Sequence, residues 1–80
     1  MKTIDEMDCR KAFGKFIKEG REAMGLSQRA LAEELGVSSG RIGQIEIGIR
    51  GTDLTFAITL CTYLKLDMKK FIKTFIKSSE

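Results

Sequence analysis

This sequence predicts an all-α fold, a compact bundle of five helices, and three observations carry the expectation. Apolar residues recur at helical spacing along almost the whole chain, while the alternation of a half-buried strand is absent. The 80 residues include no proline, so nothing forces an early break in any helix. Capping residues and glycines then divide the pattern into five segments.

The first helix runs to about Met24 and stops at Gly25, which suits a left-handed C′ position. Two starts are open: Thr3 with Glu6 has capping-box spacing, and Asp8 could cap a later beginning. Phe13, Ile17, Gly20 and Met24 share a face, with Phe16 at its edge. Ser27 caps a short second helix, Gln28 to Leu35, whose Leu31, Ala32 and Leu35 point inward before Gly36 ends it. Ser38 or Ser39 caps the third, which reaches Ile47 with Ile42 and Ile45 inward and Gly48 as its stop. The fourth starts near Thr52 or Asp53 and runs to Leu64, presenting Leu54, Ala57, Ile58, Cys61 and Leu64. Asp67 caps the fifth, Met68 to about Lys77. Two short helices joined by a tight turn and flanked by longer ones make a helix-turn-helix, about 27–47, inside one domain spanning 1–80. Neither short helix is stable alone, so the flanking ones must hold them. A rigid pair with one exposed helix suits a groove better than a pocket.

Composition narrows the function. Fourteen Lys and Arg against eleven Asp and Glu leave +3, basic but far from a polybasic tail. The apolar runs are too short for a membrane span or a signal-peptide core, so a cytoplasmic location is expected. Cys9 and Cys61 are too few for a disulfide scaffold, and without a single His no metal site is expected. The lack of His also removes the commonest general acid–base group, and no phosphate-binding glycine loop can be written through the glycines present. An enzyme is not expected, nor a cofactor.

The segment GLSQRALAEELGVSSGRIGQIEIG, Gly25 to Gly48, resembles the helix-turn-helix of the lambda-repressor/Cro-like family, also called the xenobiotic-response-element type. Gly25, Leu26, Ser27, Gln28, Leu31, Ala32, Leu35, Gly36, Val37, Ser38, Ile42, Ile45, Glu46 and Gly48 carry the likeness. Phe13-Gly14, Ile17 and Arg21 fit the family's first helix; Leu54, Ile58, Leu60, Leu64 and Leu66 fit its fourth helix and the turn after it. Most of these are core positions that report the fold and say nothing direct about DNA. The resemblance also implies that Arg21 and Glu46 form a pair linking the first helix to the end of the third.

What the resemblance implies about binding rests on exposed positions. Gln28 is expected at the DNA backbone, where a helix N-terminus favours a phosphate oxygen. Ser38, Ser39, Gly40, Arg41 and Gln44 lie at the start of the third helix, the part expected in the major groove of double-stranded DNA. Arg41 can bind guanine O6 and N7 or clamp a phosphate; Gln44 can bind adenine N6 and N7. Arg50, in the loop that follows, looks like a backbone contact.

The departures from the family pattern matter too. Gly40 and Gly43 fall within the recognition helix, each costing about 0.5–1 kcal/mol relative to Ala. Gly20 stands where relatives usually have Leu, a gap for Phe16 or Met24 to fill, and Gly51-Thr52 where many have Pro. From Arg21 to Asp53 four basic residues face five acidic ones, so the motif is not a basic patch; lysines gather on the first and fifth helices instead. A weakly charged monomer gains little from phosphate neutralisation, and two copies would help. Met68, Phe71, Ile72, Phe75 and Ile76 form a stripe on the fifth helix, and Phe56 and Tyr63 add an aromatic edge to the fourth. These residues either complete the monomer's core or join two copies in a homodimer whose recognition helices lie ~34 Å apart.

The expected function is a sequence-specific transcription regulator, similar in length and tail to restriction–modification controller proteins and small phage repressors. It would act as a homodimer on a palindromic operator, with no small-molecule effector evident. The alternative is an antitoxin-type interaction module whose main partner is another protein.

Overall fold

A computed structural model describes residues 3–79 of the chain. Five helices follow one another: α1 (Glu6–Ala23), α2 (Gln28–Leu35), α3 (Ser39–Glu46), α4 (Leu54–Tyr63) and α5 (Met68–Ser79). The all-α fold expected from the periodicity is the fold observed.

Each helix begins at a side-chain cap that satisfies an otherwise unpaired backbone N–H. Asp5 accepts from the Asp8 N–H at 2.9 Å, so neither Thr3 nor Asp8 is the cap of α1. Asp8 lies within the first turn, where a carboxylate opposes the helix dipole favourably. Ser27 caps α2 through the Ala30 N–H at 2.9 Å, and Ser38, not Ser39, caps α3 through the Arg41 N–H at 3.1 Å. Asp53 caps α4 through the Phe56 N–H at 2.7 Å, and Asp67 accepts from the Lys69 N–H at 2.9 Å.

Four helix ends share one geometry. The N–H groups of Leu26, Val37, Ile49 and Leu66 reach back to the carbonyls of Arg21, Ala32, Gln44 and Cys61. The residue before each one is left-handed: Gly25, Gly36, Gly48 and, at the end of α4, Lys65. Leu26, Val37 and Leu66 then pack against the core, while Ile49 stays exposed.

That core is made by Phe13 and Ile17 of α1, Leu31 and Ala32 of α2, Ile42 and Ile45 of α3, and Ala57, Leu60, Cys61 and Leu64 of α4. The inward face of α4 is therefore rotated from the expected one. Leu60 is fully buried, whereas Leu54 and Ile58 are 74% and 52% exposed. On this apolar helix two overlapping stripes fit the same spacing, and the packing of α4 selects one of them. Met24 is also exposed rather than inward, because α1 has already ended where it falls.

Two glycines mark close crossings. A Cβ on Gly14 would strike the Ile45 carbonyl oxygen and lie 2.5 Å from that of Glu46, so the backbones of α1 and α3 touch there. Gly20 gives its volume to Leu66, whose Cδ1 would lie 2.6 Å from an added Cβ. The gap left by the usual Leu is thus filled from the α4–α5 turn, not by Phe16 or Met24. Phe13, Phe16, Phe71 and Phe75 form an aromatic row between α1 and α5, with centroid separations from 5.1 to 6.3 Å.

Candidate nucleic-acid interface

The helix-turn-helix is α2, the turn at Gly36 to Ser38, and α3. Its inner side is fastened by a charged knot. Arg21 Nε donates to Glu46 Oε2 at 2.7 Å and Nη2 to Oε1 at 3.0 Å, while Nη1 donates to the Leu26 carbonyl at 2.6 Å. The Arg21–Glu46 pairing is the one the family resemblance implies, and it is buried. Its hydrogen bond to Glu46 raises the Arg21 pKa above the ordinary arginine value, so the guanidinium stays charged.

Gln28 joins this knot. Its Nε2 donates to Glu46 Oε1 at 3.0 Å, and its amide lies over Gly43, where an added Cβ would sit 3.4 Å from Oε1. Gly43 is therefore the floor on which the Gln28 side chain rests. The cost of a glycine in α3 is offset by a link between the two helices of the motif that the sequence alone did not reveal. The Gln28 amide N–H is engaged with Glu46, and its Oε1 faces Gly43, midway along α3.

On the opposite side, buried Ile42 and Ile45 turn Ser39, Gly40 and Gln44 outward, and all three are exposed. Gly40 has no nearby neighbour besides the Ser38 hydroxyl, so the backbone of α3 lies bare at that position. Ser38 uses its hydroxyl oxygen as the cap while staying exposed. Arg50 is exposed in the loop before α4.

Arg41 departs from this outward group. It is half-buried on the flank of α3 nearest α4, its guanidinium carbon 4.0 Å from the centroid of the Phe56 ring. Its Nε is buried and has no hydrogen-bond partner among the described residues. No spacing rule links positions 41 and 56, so only the packing of α4 against α3 brings them together.

The lysines of α1 and α5 that the charge distribution singled out are exposed. Within the motif, burial of Arg21 with Glu46 removes one charge of each sign from the surface. Arg29 lies 3.8 Å from Glu33 in a fully solvated i,i+4 pair. The residues proposed to join two copies divide unevenly. Phe56, Tyr63, Met68 and Phe71 pack against the monomer's core, and the Phe75 ring stacks on Phe71 at 6.0 Å. Ile72 and Ile76 remain about half exposed.

A family model described as helix-turn-helix, of the lambda-repressor/Cro-like kind, matches residues 17–71. The chain belongs to the lambda-repressor/Cro-like helix-turn-helix family. That family is one of DNA-binding transcription regulators, typically without enzymatic activity. Its matched span runs from the buried Ile17 of α1 to Phe71 of α5, and so takes in the Arg21–Glu46 knot and the whole of α2 to α4. No curated protein matches the chain. Among the described residues no helix is long and apolar enough to cross a membrane. No group of three or more His, Cys, Asp or Glu side chains there is placed to hold a metal ion.

Proposed function

We propose that this chain is a sequence-specific transcription regulator, one cytoplasmic domain over 1–80, that acts as a homodimer on a palindromic operator. The observation that carries this reading is the bare outward face of α3. Ser39, Gly40 and Gln44 are exposed there, while the knot at Glu46 holds the helix rigidly from behind. Gln44, at the centre of that face, reads adenine through N6 and N7; Ser39 serves several bases and specifies weakly. Gly40 lets the helix backbone approach the groove closely. Gln28, Ser38 and Arg50 contact the DNA backbone and set the register.

Two copies are needed because one motif with so little net positive charge gains little from phosphate neutralisation. The exposed apolar residues on and just before α4 support a placement for the two-fold contact: Ile47, Ile49, Leu54 and Ile58 are each more than half exposed. They follow α3 directly in the chain, so pairing them holds the two recognition helices on one side of the dimer. Phe56, Tyr63, Met68 and Phe71 stiffen that face from within, and Ile72 and Ile76 of α5 extend the apolar surface. Occupancy of an operator, by a repressor or a controller protein alike, is the regulatory act.

Selection from a random duplex library tests this. An enriched inverted repeat is expected, with Gln44→Ala relaxing preference at one base pair of each half-site at a cost of about 1–3 kcal/mol per contact. Leu54→Lys with Ile58→Lys should yield monomers of unchanged helicity in sedimentation. If no sequence is enriched, the regulator reading fails, and a stable complex with a second protein, as for an antitoxin, takes its place.

A further inference from the structure

We infer that Arg41 is a clamp on backbone phosphate, positioned by Phe56, and not a reader of a base; this deepens the regulator reading and rests on it. The position of Arg41 on its helix is the first reason. Ile42 and Ile45 define the inner face of α3 and Gly40 with Gln44 the outer one, so Arg41 falls between them on the flank toward α4. A helix lying in the major groove meets base edges along its outer face and phosphates along its flanks, where the strands run.

The side chain's own contacts are the second reason. Its guanidinium lies over the Phe56 ring, in the first turn of α4, with Nε buried. One π face is covered by the ring, and the terminal Nη groups are left to meet a partner. A planar guanidinium stacked on a ring is held in orientation at little further entropic cost, which a flexible phosphate-seeking lysine would not be.

The surroundings are the third. Arg41 lines a cleft of about 690 Å³ together with two further arginines, Arg10 and Arg50, and two carboxylates, Glu6 and Asp53. Arg10 is held at 2.6 Å by Glu6, and Arg50 is exposed. Arg41 thus stands beside the loop that opens α4, with Arg50 as a second cation for the same strand. Phe56 is a positioning residue: it touches Arg41, and Arg41 touches the DNA.

The test is a double-mutant cycle on the selected duplex, with Arg41→Ala, Phe56→Leu and both together, read as affinity against salt and as base preference. Arg41→Ala should lower affinity by one factor on every duplex, leave the preferred sequence intact, and make the slope of log K against log salt shallower by about 1.8 for the dimer, about 0.9 for each half-site. Phe56→Leu should shift the slope the same way, and should add nothing to it in the Arg41→Ala background. Phe56→Tyr, which keeps the ring, should restore the slope. Since Phe56 also packs against the core, circular dichroism at the assay temperature must show each variant folded; Phe56→Tyr serves where Phe56→Leu is not, by keeping the wild-type slope. Relaxed preference at a single base pair in Arg41→Ala, with the slope unchanged, would overturn the clamp while leaving the regulator intact. Equal effects of Phe56→Leu on the slope in both backgrounds would overturn its positioning role. A wild type that enriches no sequence would overturn both readings at once.

Discussion

Arg21 and Glu46 meet in a two-bond contact at the junction of α1, α2 and α3, both nearly fully buried. The pair ties the end of α1 to the end of the recognition helix, and through the Leu26 carbonyl it also fastens the turn into α2. This guanidinium adds a polar fastening to the apolar core and the Gln28–Glu46 bond that hold the two short helices together. Removing that guanidinium leaves a buried carboxylate with only the Gln28 amide to solvate it.

Arg21→Ala should therefore destabilise the fold by about 3–5 kcal/mol. Urea unfolding at neutral pH measures this, and a loss below 1 kcal/mol would mean that water reaches Glu46. Replacing both partners with apolar residues of similar volume should restore most of the loss, because no charge is then left buried.

Gln28→Ala should cost about 1.5–3 kcal/mol of stability without any DNA present, since the amide donates to an ionised carboxylate. A residue that served only as a phosphate contact would leave the unfolding curve in place. The comparison separates the two roles of this side chain before any binding is measured.

Gly14→Ala should destabilise by at least ~2 kcal/mol, because the new methyl meets the backbone oxygens of Ile45 and Glu46 and neither can rotate aside. Thermal unfolding checks it. An unchanged Tm would mean that α1 can shift off α3 without loss.

Lys65→Gly should stabilise by about 0.5 kcal/mol. Lys65 has φ +56° in a turn otherwise like those built on Gly25 and Gly36, and a Cβ in the left-handed region costs more than the extra freedom of an unfolded glycine. A lowered urea midpoint would show instead that this side chain gains something in the turn.

Much of this architecture was legible in the chain. The caps at Ser27 and Asp67 and the stops at Gly25, Gly36 and Gly48 act within a few residues, so local sequence is enough to place them, while the start of α4 was narrowed only to Thr52 or Asp53. Ile17, Leu31, Ile42 and Ile45 are core by spacing alone. The Arg21–Glu46 pairing spans α1 to α3 and was legible only through the family resemblance. Asp5 was missed because three acceptors, Thr3, Asp5 and Asp8, lie close enough to start the same helix.

The rotation of α4 was not legible, because Leu54, Ile58 and Leu60 are all apolar and only contact with the other helices decides which are buried. The same holds for Leu66 filling the space at Gly20, Gln28 reaching Glu46 across Gly43, and Arg41 lying on Phe56. By itself the sequence determined the helices, their ends and the family, since capping and periodicity are short-range and the motif residues are contiguous. Only the tertiary structure decided which face α4 turns outward and which partners Gly20, Gln28 and Arg41 meet, because those choices are made by close packing between residues far apart in the chain, where volume and shape rather than spacing select the partner.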